Sequence, residues 1–487
     1  MLTKIICAVL GLAAVEQASA FSVFGPAESW QTPAFDYVTR YFYGNSSEMG
    51  GPKNYNEGSR INVPIITYGY DSTFLDYFGV QGVKAVDSAM QEMNRLPSAS
   101  SAKLANFLTQ DNQVINYTAE ALSLTDLKST VMGLMLEHMG LIGETHVWDL
   151  HARAAMPGGG FQYIVLNRNY DPVTYNPTAY VNGVQYTYSI LDGEVPYGGQ
   201  PPIGVDVADA LESPVDLASG NHFVYTAVAT GQSLQQGGFY LGITRDDIGG
   251  LAYLYKQNRY EYEGVDSNSV VQGMVSPWAP VNTAATNSGT NGFQGLRGGV
   301  EKITYLKVAY DSLLGTAFQP LTYTYTIPVV TNGMLYHLTV TRTITQPDIL
   351  FTAGDLVGPS TAYPLTDSEL TRGFNFVSNG VVTVGGGGVT AQVIAPQEII
   401  TFNNVTPIYV NESPSFLDQI TGSYPWLCWG SFDGTTNTPV VYPNGASYEG
   451  LLQEVIGSGG STFQSQTWSP LSYFNGSTNT SSTVSSP

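Results

Sequence analysis

The residues able to do chemistry crowd into one stretch of the chain. Of five histidines in 487 residues, His138, His146 and His151 fall within fourteen positions, beside Glu137. Neutral imidazoles supply nitrogen ligands to zinc, and a carboxylate next to the metal takes a proton from its bound water. Catalytic zinc usually has three protein ligands, so spacing decides what these histidines can do. His138 is two positions past Leu136, about 200° around a helix of 3.6 residues per turn, so the two cannot share a helical face. His222 and His337 stand alone in the sequence, the latter inside an alternating strand-like run, and read as ordinary polar residues.

Residues Leu136 to His146 read LEHMGLIGETH. Laid on the pattern HExxHxxGxxH followed by a methionine turn, this stretch resembles the metzincin (matrixin-type) zinc proteases. The resemblance implies Glu137 as general base, Gly143 as the left-handed turn that ends the helix, His146 as third ligand and Met156-Pro157 as the methionine turn. It extends to a strand over Ile61 to Tyr68, a helix from about Val80, and a terminal helix containing Asp246 and Asp247 in DDIGGLAYLY, covering 60–258. The first two ligand positions, however, hold Leu136 and Gly140. Neither side chain has a lone pair to give, so the expectation is a metzincin-like scaffold that has lost its zinc. In this reading Leu136 packs into the former site, Gly140 permits a close approach, and no cofactor is needed. The rival reading is an atypical zinc metalloprotease that uses relocated histidines, His138, His146 and His151.

Other chemistries leave weaker traces. There is no GxSxG, and the run Gly385 to Gly388 lacks the lysine and helix of a phosphate loop. Asp206, Asp209, Glu212 and Asp216 in GVDVADALESPVD do not follow the alternating spacing of a calcium loop, and read as solvated loop acids. The 32 tyrosines suit cross-strand packing and also stacking on sugars, which gives a third reading, a carbohydrate-binding or carbohydrate-processing protein.

The elements that must position these residues follow from periodicity. Val83, Val86, Ala89, Met90 and Met93, spaced by three or four, predict an amphipathic helix ending near Pro97. Ser123, three residues before Asp126, predicts the capped start of the helix that carries Glu137. Thr244 caps the helix containing Asp246 and Asp247, whose charges favour its positive end. Asn182-Gly183 and Asn332-Gly333, each between strand-like runs, predict tight hairpins. Alternation over Ile303 to Val308, Thr322 to Ile327 and Leu335 to Thr341 predicts antiparallel sheet.

The first residues, an apolar run from Ile5 to Val15 followed by Ala18-Ser-Ala20, read as a cleaved secretory signal. Only Cys428 then remains, which excludes an internal disulfide. A formal charge of -21 opposes binding to nucleic acid or to anionic membrane. No apolar run approaches the roughly 20 residues of a spanning helix, so stable membrane insertion is not expected. Asn45, Asn116, Asn404, Asn411 and Asn475 occupy acceptor sequons.

Together these features predict an α+β chain. The expected divisions are a signal over 1–20, an irregular leader over 21–59, the metzincin-like domain over 60–258, a linker over 259–299, an antiparallel, sandwich-like module over 300–456 and a Ser/Thr/Gly-rich tail over 457–487. The expected role is that of an exported pseudoprotease, secreted, periplasmic or at the cell surface, whose partner is an extracellular protein or glycan.

Overall fold

The computed structural model describes residues 20–23, 60–108, 112–143, 147–194, 206–216, 228–229, 234–263, 295–310, 318–331, 333–353, 370–375, 380–385, 392–393, 397–402 and 428–444. The expected signal before Ala20, the tail over 457–487 and the glycines after Gly385 lie outside them. The fold is α+β, with few helices and several small sheets. Among the described residues no helix is long and apolar enough to cross a membrane.

At the centre is a five-stranded sheet in the order Thr304–Lys307, Ile65–Tyr70, Ile349–Thr352, Gln397–Phe402, Leu370–Asn375. The first four strands run parallel and the last is antiparallel. Ile65–Tyr70 is an inner strand and nearly continuously apolar, as burial on both faces requires. The chain enters the sheet four residues later than the run of β-branched residues suggests. Pro64 has no N–H for a ladder, and ahead of it the side chains of Arg60 and Asn62 bond to backbone oxygens of Arg297 and Gly298.

The long helix Ser72–Arg95 covers one face of this sheet. Asp71 caps it by accepting from the Phe74 N–H, and the helix stops just before Pro97. It starts earlier than the aliphatic spacing predicts because its first turns are anchored by rings. Phe74 packs on Tyr70, Phe351 and Phe402, and Phe78 on Phe402 and Trp429. The helix is interrupted at Gly79, where φ is +59° and an added Cβ would come within 2.6 Å of Asn444.

A six-stranded antiparallel sheet runs in the order Glu261–Glu263, Gly295–Arg297, Leu321–Thr331, Met334–Ile344, Gly380–Gly385, Gln392–Val393. Its spine is the hairpin Leu321–Thr331 to Met334–Ile344, in register from Leu321 opposite Ile344 to Thr331 opposite Met334. The two sheets are pinned by a buried ion pair. Arg342 donates to both oxygens of Asp348 at 3.1 and 2.5 Å, and Asp348 accepts from the Thr67 N–H at 2.8 Å.

Three expectations are corrected here. The antiparallel module over 300–456 supplies the hairpin but also three strands parallel to Ile65–Tyr70, so the central sheet draws strands from both sides of the expected linker. Within 259–299, Glu261–Glu263 and Gly295–Arg297 are paired strands, held by cross-strand bonds that outweigh the local turn composition. Finally, the irregular leader over 21–59 opens with a buried strand, Phe21–Val23, between Leu141–Ile142 and Asn169–Tyr170. Phe21 stacks on Tyr170 and packs on Tyr253, so aromatic contacts fix this short segment.

Candidate functional site

The helix carrying Glu137 spans Leu127–His138 and packs against the long helix. Its cap is Asp126, not Ser123. Asp126 accepts from the Ser129 N–H at 2.8 Å and, with its other oxygen, from the Phe432 N–H at 3.3 Å. Ser123 instead adopts a left-handed conformation, φ +54°, after the short helix Tyr117–Ala121. The intervening Leu124–Asp126 forms a strand parallel to Cys428–Ser431, a pairing invisible to a local capping pattern. Burial pushes the Asp126 carboxyl up to about 6, against hydrogen bonds that favour its charged form.

At the other end of the helix, Leu136 is 0% exposed and belongs to the main apolar core, while Glu137 is half-buried. The helix then stops. The Met139 N–H reaches Met135 O, the Gly140 N–H reaches Glu137 O, and Gly140 has φ +103°. That is a helix C-terminus closed by a left-handed glycine. The turn expected at Gly143 is therefore made three residues earlier, at Gly140, and Leu141–Ile142 goes directly into the sheet with Phe21–Val23. Positions 136 and 140, which a zinc site needs on one helical face, no longer share a helix.

Among the described residues no three His, Cys, Asp or Glu side chains come together to hold a metal ion. His138, its last residue, is buried. His146 and His222 lie outside the described residues. His151 falls in the strand Trp148–Ala155 at a bulge, where the register with Phe161–Asn167 jumps from Leu150 to Ala152. Met156, expected beneath the site, is 50% exposed at the tip of that hairpin, because the run Pro157-Gly-Gly-Gly160 forms an open turn. Asp206, Asp209 and Glu212 lie in the strand Asp206–Pro214 rather than in a loop, with Asp216 just beyond, and Glu212 accepts from the Trp148 N–H. His337 is exposed in the hairpin strand Met334–Ile344.

The closing helix Arg245–Tyr255 begins with the expected cap. Thr244 and Asp247 form a reciprocal capping box, and the Asp247 carboxylate also accepts from the Val228 and Ala229 N–H groups at 3.0 Å. Burial raises its pKa, while those hydrogen bonds oppose the rise. Asp246 is buried beside it. At the far end Tyr255 does what the sequence did not signal. Its hydroxyl donates to Met139 O at 2.8 Å and accepts from the Ile61 N–H at 3.1 Å, tying the ends of two helices to the segment that leads into the central sheet.

No family model, curated protein or solved structure matches this chain. Beside Tyr255 a cavity of about 30 Å³ lies among Met93, Met139, Ile248 and Leu251, room for about one water. At its rim Glu301 accepts from the Ser100 N–H and hydroxyl and from the Gln257 N–H. Burial alone would raise the Glu301 carboxyl, but those bonds and nearby Lys256 together hold it below the usual range. Zinc does not fit the motif as it stands. An aliphatic side chain and a left-handed glycine stand where the resemblance would put the first two ligands.

One sequon is also decided. Asn116 is fully buried, caps Tyr117–Ala121 by accepting from the Ala119 N–H, and donates to Asn437 O at 2.9 Å.

Proposed function

We propose that this protein is a non-catalytic, exported scaffold. In it a metzincin-like set of helices has been given over to packing, and the β-rich remainder acts in binding or in surface structure toward an extracellular protein or glycan. The observation that carries the reading is the sealed position of Leu136, together with the helix end at Gly140. The element order supports the metzincin-like part. A strand and long helix come first, the Glu137 helix packs against that helix, and a capped terminal helix is tied to its end through Tyr255.

The test combines metal analysis of the purified chain with a general peptide-cleavage assay, on wild type and on Glu137→Gln. The expected result is substoichiometric zinc and no cleavage in either protein. Stoichiometric zinc with cleavage that Glu137→Gln abolishes would overturn the proposal. A second arm restores imidazoles with Leu136→His and Gly140→His together. It is expected to lower stability without gaining zinc, because position 140 has left the helix.

A further inference from the structure

The hairpin Leu321–Thr331 to Met334–Ile344 ends in three consecutive apolar residues, Met334, Leu335 and Tyr336, which are 57%, 55% and 46% exposed. Successive strand residues point to opposite faces, so the tip is bare on both sides. Directly across, Val330 opposite Leu335 is half-buried, and only at Val329 and Ile327 does the hairpin become core. Thr331 pairs with Met334, and Val330 is flanked on its far side by Leu296, whereas the pairing of Met334–Ile344 with Gly380–Gly385 begins only at Thr339, so the bare edge is the Met334–Tyr336 side. A run of exposed apolar residues of this kind is disfavoured on a soluble surface unless something covers it.

Charge narrows what covers it. From 312 to 341 the sequence holds no Asp, Glu, Lys or Arg, within a chain of formal charge -21. We propose that the tip is a wedge that docks into the interface of an electrically neutral, zwitterionic lipid bilayer. A groove on a protein covers one face of a strand, whereas lipid closes around both. Tyr336 suits that depth, with an apolar ring and a polar hydroxyl that belongs at the headgroup level. Three strand residues reach only about 10 Å, so the contact is peripheral and spans nothing. An anionic leaflet repels the acidic body of the chain, which makes the preference for neutral lipid part of the proposal. The inference does not depend on the reading of the Glu137 helix.

The experiment is vesicle flotation of the full chain. With phosphatidylcholine vesicles the chain floats, and replacing a third of the lipid with phosphatidylserine lowers the bound fraction severalfold at low salt, an effect that added salt relieves. Leu335→Asp with Tyr336→Asp lowers binding to phosphatidylcholine by about tenfold or more, with an unchanged unfolding transition because both side chains are exposed. Leu335→Trp keeps binding, and its emission moves to the blue on mixing with the same vesicles. Absence of wild-type flotation on phosphatidylcholine overturns the proposal, as does a doubly substituted chain that floats like wild type. Lipid-free self-association that the double substitution abolishes also overturns it, by assigning the tip to a second copy of the chain.

Discussion

Two regions of the molecule are built on different principles. The helices Ser72–Arg95, Leu127–His138 and Arg245–Tyr255 share one continuous core with the central sheet, from Phe74 and Leu136 to Phe402 and Trp429. Among the described residues, the neighbouring hairpins, Trp148–Ala155 with Phe161–Asn167 and Val184–Glu194 with Asp206–Pro214, contribute small clusters separate from that core. One is Leu150 with Ala210, and the other is Val147, Val181 and Tyr186. Long ladders hold the hairpins locally, but little apolar area ties them down. The helices and the central sheet are thus the more tightly packed part, and these hairpins are the part more open to movement and contact.

Breaking the pin between the two sheets has the largest expected effect. Arg342→Ala leaves Asp348 buried without its partner and is expected to cost about 3–5 kcal/mol, read by urea denaturation. Next, one substitution made in both regions sharpens the contrast. Leu136 and Leu150 are each 0% exposed. Leu136→Ala is expected to lower global stability by about 2–5 kcal/mol. Leu150→Ala is expected to change the global transition much less, while speeding hydrogen exchange and proteolysis within 147–216. Equal global losses would erase the distinction.

A smaller effect depends on pH. The Asp126 carboxyl is raised to about 6 in the folded chain, against about 3.9 for an unperturbed aspartate. The folded state therefore holds this proton more tightly than the unfolded state. The contribution is fully present below about pH 4 and is lost as pH rises through about 6. Asp126→Asn keeps a capping oxygen and is expected to flatten this part of the stability–pH curve, by on the order of 2–3 kcal/mol at most. Last, Gly140→Ala is expected to cost about 1–2 kcal/mol, because its backbone is left-handed, measured by thermal unfolding.

Much of the local structure was legible in the sequence. The spacing of Val86, Ala89, Met90 and Met93 announces the long helix, Thr244 its capped counterpart, and Asn182-Gly183 a two-residue turn that joins Val181 to Val184. What local patterns could not carry were partners distant in sequence. Nothing near Ile65 says that its neighbours are Thr304 and, three residues on, Ile349, and nothing near Asp126 says that Phe432 will donate to it. The end of the Glu137 helix is illegible locally for a related reason. Both Gly140 and Gly143 can end a helix, and the choice between them is made by the pairing of Leu141–Ile142 with Ser22 and Val23, more than a hundred residues away.

The cap at Asn116 has a consequence for the life of the chain before it folds. Its amide faces the backbone of residues 434 to 437, so a sugar there and the finished fold exclude one another. In a glycosylating compartment the sequon can be used only while the polypeptide is still open, and every molecule modified at that position is one that has forfeited the Tyr117–Ala121 corner. Peptide mapping of the mature protein should then find Asn116 bare, and the sugar-bearing fraction among molecules retained or degraded.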